Sequence, residues 1–270
     1  MPHRGCEAYL AQSVASILNQ ADVSLRLYLV DDASPTGDWL QIIAPWRGDP
    51  RLVALQTSRQ AGPFRITNWV LAHSQEPFIA FQDADDWSAP DRLRRQVAAL
   101  RQAQAGIIGT AYHIVAADGT PLRTKTMPRN VNLAHWRGRD FSLLHSTAVM
   151  RRSVLTRLTG FDGSDQALGA DAEFYLRATF ACRLRNLPQP LYFYRQRPDS
   201  LTTARATGYG SSIREAYEAT MRRDFRRRRR QRLMGMIWPP VRERLSLAPR
   251  PNDIDFAVRE PLGADLVSAG

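Results

Sequence analysis

Cysteine is scarce in this chain. Its 270 residues hold two, Cys6 and Cys182, at no metal-type spacing, which argues against a disulfide framework and for a reducing compartment. No stretch approaches the roughly 18 consecutive apolar residues of a membrane span. The opening residues, MPHRGCEAYL, have no apolar core of a secretory signal. Internal repeats are absent. The expected location is therefore the cytoplasm. Histidines are few as well, and His113 and His145 have no partner at ligand spacing, so core or surface roles are expected for both.

What is there begins with charge. The net charge of +11 is mostly local: residues 222–232 hold eight arginines and one aspartate, a local +7 that leaves +4 for everything else. The run lies on one late helix with no interleaved aromatic beyond Phe225, so no nucleic-acid partner is expected. Six consecutive positions, 225–230, cover every face of a helix, and Leu233, Met234, Met236, Ile237 and Trp238 add an apolar end. That combination suits a peripheral contact with an anionic membrane surface.

The chain otherwise alternates strand and helix. Leu10, Val14, Ile17 and Leu18 repeat at one-face helical spacing within Glu7–Gln20. "LRLYLV" reads as a strand that stops at Asp31-Asp32, and "RLVALQ" as the next. A turn at Ala61-Gly62-Pro63 leads to a helix around Ile66–His73, and "PFIAF" to a third strand. Ser88 is placed to cap the following helix, with Pro90 in its first turn and Leu93, Val97 and Leu100 on its inner face. This order predicts an α/β fold, a mostly parallel sheet flanked by helices. In such sheets ligands bind beyond the carboxyl ends of the strands.

Both acidic clusters stand there. In "FIAFQDADDW" an apolar run stops at Asp83, Asp85 and Asp86, and three carboxylates within four residues repel one another unless something positive sits among them. An EF-hand would need a ligand at Trp87 and glycine at Ser88. A divalent cation held with a diphosphate fits better, since Mg²⁺ and Mn²⁺ take one or two carboxylates plus phosphate oxygens. The earlier pair, Asp31-Asp32, then suits the base and ribose of a nucleotide.

At these residues the chain resembles the glycosyltransferases of family 2, with the GT-A fold. The resemblance rests on "EAYLAQSVASILNQ", "LYLVDDAS", Gly62 with Asn68, "FIAFQDADDWSAPDRL", "HSTAVMRRSVLTRLTGFD", "GADAEFYLRA" and "PLYFYRQRPDSLT". These run in family order over roughly residues 2–203. It implies a nucleotide-sugar site of Pro2, Arg4, Asp32, Asn68, Asp83 and Arg197, with Asp32 on the uracil of a UDP-sugar and Asp83 on the ribose or donor sugar. It also implies Asp85 as ligand of a divalent cation (Mn²⁺ or Mg²⁺) that would act as a Lewis acid on the departing diphosphate. Asp171 would be the general base on the acceptor hydroxyl, with Glu173 its rival, in a single inverting displacement. Asp86 is expected to support the loop, and Trp69 and Trp87 to lie in the core rather than stack on sugar.

Thr67, Ala170 and Arg197 depart from the family pattern, the last standing where a histidine often helps hold metal or diphosphate. The usual first strand would precede Pro2. The expected organisation is a GT-A domain over 1–203, a basic helical extension over 204–247 and a loose tail over 248–270. The expected function is metal-dependent transfer of a sugar from a nucleotide donor to a cell-envelope glycan, lipid-linked or similar acceptor. The alternative is a non-catalytic relative that binds nucleotide or a protein partner.

Overall fold

The structure of the chain, a computed structural model, describes residues 1–164, 169–197, 211–234 and a two-residue strand at 258–259. The first part alternates as the sequence predicts: β1 (Pro2–His3), α1 (Glu7–Leu18), β2 (Leu27–Asp31), α2 (Trp39–Ile42), β3 (Leu52–Thr57), α3 (Pro63–His73) and β4 (Phe78–Ala80). Pro45, without an N–H, ends α2 and leaves only a 3-10 turn at Ala44–Trp46. Then follow β5 (Trp87–Ser88), α4 (Arg92–Gln102), β6 (Ile107–Val115), β7 (Pro121–Lys125), α5 (Val131–Trp136), β8 (Val149–Arg151), α6 (Arg152–Leu158), α7 (Ala170–Ala178), β9 (Leu184–Arg195), α8 (Ser212–Leu233) and β10 (Val258–Arg259).

Two sheets result. In the first, β1, β2 and β3 are parallel and β10 joins β3 antiparallel, so part of the expected loose tail is paired. The second runs β4-β8-β6-β9-β5, with β7 on β6. Only its β6–β9 pair is parallel. The expectation of a mostly parallel sheet thus holds for the first sheet and is corrected for the second. Strand direction there depends on partners far apart in sequence, such as Phe78 with Arg151, and local periodicity does not encode it.

Leu10, Val14, Ile17 and Leu18 are all buried, as the spacing of α1 predicts. A neighbouring edge of α1 is polar, with Ser13 and Gln20 buried and Ser16 half-buried. Ser13 Oγ donates to the Asp83 carbonyl (3.0 Å), the Ser88 amide to Ser16 Oγ (3.2 Å), and Gln20 Nε2 to the Ala89 carbonyl (2.7 Å). These residues form a ladder that docks the acidic loop onto the helix.

Ser88 does not cap α4. It pairs with Tyr192 in the β5–β9 ribbon and donates its hydroxyl to Gln82 Oε1 (2.7 Å), while α4 begins only at Arg92. Helix α8 packs Met221 and Phe225 onto Ala172 and Leu176. Its arginines are partly tied into the body: Arg222 pairs with Asp140 (2.6 Å) and Arg229 donates to the Trp136 carbonyl (2.7 Å), while Arg223, Arg226 and Arg230 are exposed. No helix among the described residues is long and apolar enough to cross a membrane. Met236, Ile237, Trp238 and the expected boundary at 203/204 lie outside the described residues.

Candidate active site

The acidic loop is built on a buried cation. Arg92 is wholly enclosed and donates to the Phe81 carbonyl (2.8 Å) and the Ser146 carbonyl (2.9 Å), with its guanidinium 5.2 Å from the centre of the Tyr192 ring. The Tyr192 hydroxyl in turn accepts the Asp83 amide (3.2 Å). Burial lowers the Arg92 pKa to about 10, and the charges of Asp83 and Asp86 act against that, so it stays cationic at neutral pH. A second arginine fixes the far side of the loop. Arg195 donates to the Asp85 carbonyl (2.8 Å), the Ala117 carbonyl (2.5 Å) and Gln12 Oε1 (2.7 Å), between the rings of Tyr9 and Trp87. A third, Arg197, is paired with Asp85 itself, Nε to Oδ2 at 2.6 Å. The density of carboxylate that looks unfavourable in the sequence is thus met by three arginines, Arg92 from the helix that follows the loop and Arg195 and Arg197 from the distant end of β9.

The three acids then differ. Asp86 is buried and accepts the Arg195 amide (2.7 Å), the supporting role expected of it; burial, and then Asp83 and Asp85, push its pKa well up. Asp83 is half-buried, and its pKa rises to about 7, first from desolvation, then from Asp85, with Asp171 adding to it. That value lies above the ordinary 3.8. The folded chain therefore keeps a proton that the unfolded chain loses from about pH 4 upward, and stability falls as pH rises from 4 to 7. An Asp83→Asn variant should accordingly match wild type at pH 4 and be more stable at pH 8, by about 1–3 kcal/mol. Thermal melts at the two pH values check this; equal melting temperatures at pH 8 would mean that the carboxylate is well solvated.

Asp171, half-buried in the first turn of α7, reaches the same place from the other half of the fold. Its charge acts on Asp83, on His145 and on Tyr175. Burial lowers the His145 pKa to about 4, so the ring is neutral, and Nδ1 shares a 2.9 Å hydrogen bond with the Tyr175 hydroxyl. The rival Glu173 points into the body. It is buried and held by Arg177 at 2.9 and 2.8 Å, and Arg177 also donates to the Leu158 and Gly160 carbonyls.

On the other side, at the carboxyl end of β2, Asp32 accepts the Ala61 and Gly62 amides (2.6 and 3.0 Å). This orders the loop before α3, where Gly62 takes a φ of 84° that favours glycine. Pro2 lies in β1 beside Val30, and Arg4 donates to the Asp32 carbonyl (2.6 Å) and to that of Ala33. Arg4 and Asp32 therefore meet, with Pro2 on the adjoining strand. Asn68 is buried and held by the chain itself. Its amide donates to the Phe161 carbonyl (2.8 Å) and accepts the Phe161 amide (2.9 Å), a clamp between α3 and the segment after α6. A Cβ on Gly160 would stand 2.4 Å from Asn68 Oδ1, so only glycine permits this approach.

Trp87 stacks on Phe193 (4.8 Å) and Trp69 on His73 (4.0 Å). His113 lies against Phe193 and bonds Thr124 Oγ1 (2.9 Å). The residues that sequence reasoning did not single out are Arg92, Arg195 and Tyr192. Two of these are charged residues on elements that otherwise read as amphipathic, and nothing local marks them as buried.

The expected divalent cation does not fit this arrangement of donors. Asp85, its expected ligand, is in an ion pair with Arg197, a side chain that cannot ligate metal.

The family model for glycosyl transferase family 2 matches residues 1–159. The chain belongs to glycosyltransferase family 2. Relatives agree: an uncharacterized glycosyltransferase of Haemophilus influenzae is 29% identical over 174 residues, 63% of this chain and 69% of that one. The putative glycosyltransferase EpsE of Bacillus subtilis is 29% identical over 201 residues, 72% of this chain and 71% of that one. Among solved structures, S. aureus TarS 1-349 in complex with UDP-GlcNAc superimposes with a TM-score of 0.61 at 21% identity. That match covers 74% of this chain and 58% of TarS 1-349, so the chain spans little more than half of that structure. The fold of this family 2 chain is thereby the GT-A fold.

Proposed function

We propose that this glycosyltransferase is an inverting enzyme that moves a sugar from a UDP-linked donor to a hydroxyl of a cell-envelope polysaccharide or lipid-linked glycan. One observation carries the reading. Asp171 comes from α7 to within electrostatic reach of Asp83 at the end of β4, whereas Glu173 is locked to Arg177. An acceptor hydroxyl between the two would lose its proton to Asp171 as its oxygen attacks the anomeric carbon. The anomeric C–O bond breaks on the opposite face, and its electron pair leaves with the diphosphate. Asp83, near neutrality in pKa, is suited to a sugar or ribose hydroxyl, because it donates or accepts according to its protonation. Asp32, Arg4 and Pro2, assembled at the end of β2, would take the uridine.

The choice of UDP is supported by the UDP-GlcNAc bound to TarS 1-349. The acceptor class is supported by the name of a relative, the putative teichuronic acid biosynthesis glycosyltransferase TuaG of Bacillus subtilis, 29% identical over 123 residues. Thermal melting with nucleotides tests the donor site. UDP at about a hundredfold excess over its Kd contributes about 2.7 kcal/mol, which raises Tm by about 5–10 °C in a chain of this size. Absence of any shift with millimolar UDP, or a larger one with ADP, would overturn the uridine site.

A further inference from the structure

The Arg197–Asp85 pair joins the side chain expected to hold a dication to a side chain that already is a cation. The contact is 2.6 Å between Arg197 Nε and Asp85 Oδ2, with about a fifth or less of either side chain accessible to solvent (19% and 16%). Burial lowers the guanidinium pKa but is outweighed, chiefly by Cys6 and Asp85, so that it ends raised above its ordinary value and the charge is permanent. Among the guanidinium's other contacts, those from Nη1 to the Gly5 carbonyl and from Nη2 to Cys6 Sγ are long, at 3.5 and 3.4 Å. Both are long enough to give way to a stronger acceptor. A phosphate oxygen is such an acceptor, since charge-assisted bonds from arginine to phosphate are short and often bidentate.

Resting on the donor reading above, we propose that Arg197 takes the place of the divalent cation. Held by Asp85, its guanidinium would neutralise the donor diphosphate, so that nucleotide binding needs no metal. The geometry has the right parts for this. Asp85 fixes one edge of the planar guanidinium, and the backbone of the Asp85 loop is itself fixed by Arg195. A dication entering the same place would have to displace a partly buried salt bridge and then lie beside the displaced positive charge. Arg197 also closes the loop between the segment after β9 and the Gly5-Cys6 turn that precedes α1, beside Arg4 on the nucleotide side. A diphosphate bound there would therefore be gripped where the two halves of the proposed donor site meet.

The test is calorimetric titration of UDP into the full chain, once with EDTA and once with Mn²⁺. It is carried out on wild type, Arg197→Ala and Arg197→Gln, with circular dichroism to show that each is folded. The glutamine variant keeps length and hydrogen bonding but not charge, and serves if the alanine variant does not fold. Wild type should bind UDP with EDTA within about threefold of its affinity with Mn²⁺. Loss of the charge should weaken binding in EDTA about tenfold or more. Wild type that binds UDP only with Mn²⁺, or folded variants that bind as tightly as wild type in EDTA, would overturn the proposal. UDP failing to bind wild type in either condition would instead overturn the donor reading on which it rests.

Discussion

Asp171→Asn should cut sugar transfer by about a hundredfold or more while UDP still binds within about threefold of wild-type affinity. Asparagine keeps the shape and hydrogen bonding of the side chain in the first turn of α7 but cannot accept a proton at neutral pH. The loss should therefore appear in kcat and not in donor binding. The variant should also relieve the charge that Asp171 exerts on Asp83, lowering the pH at which Asp83 ionises. Steady-state rates with a productive UDP-sugar and acceptor, set beside UDP titrations, separate the two effects. Full transfer activity in the Asn variant would place the base elsewhere. Glu173 is no ready substitute, because freeing it from Arg177 would strip a buried cation of its carboxylate partner.

Arg92→Ala should lower stability by about 3–5 kcal/mol, a fall in Tm of roughly 10 °C for a chain of this size. The alanine leaves the Phe81 and Ser146 carbonyls without their donor, empties a fully buried volume against Tyr192 and removes the cation beneath Asp83 and Asp86. Each unsatisfied buried acceptor costs about 1–3 kcal/mol. Arg92→Met, which restores volume but no donors, should recover only part of the loss. Calorimetric or optical melts decide between them; a methionine variant as stable as wild type would show that packing alone is at stake. Because the Phe81 carbonyl sets the start of the acidic loop, UDP binding should weaken in both.

The contrast between these two residues shows what was legible in the sequence. The acids of the "DAD" run follow an apolar strand, so local pattern was enough to place them at its carboxyl end, whereas Asp171, in the first turn of α7, was marked only by the family resemblance of "GADAEFYLRA". The apolar face of α1 was equally plain, because 3.6-residue periodicity is a local property. Arg92 and Gln96 carry the opposite lesson. By residue type they belong on the solvent side of α4, yet both are completely buried, since the carbonyls they bind arrive from Phe81, Ser146, Ile108 and Thr147. Ser13, Ser16 and Gln20 on α1 are the same case, polar residues whose partners are 69 or more positions away. Asn68 was singled out by its place beside Gly62, but its role as a clamp depends on Gly160, ninety-odd residues on. Ser88 had the residue type of a helix cap, and strand pairing with Tyr192 claimed it instead.

The most direct measurement of the account is a crystal structure of the wild-type chain with UDP bound. The diphosphate should lie over the acidic loop at the end of β4, against Arg197 and within reach of Asp83, with the uracil toward Asp32, Arg4 and Pro2 and with Asp171 facing the position of the transferred sugar. UDP bound away from these carboxylates would contradict it.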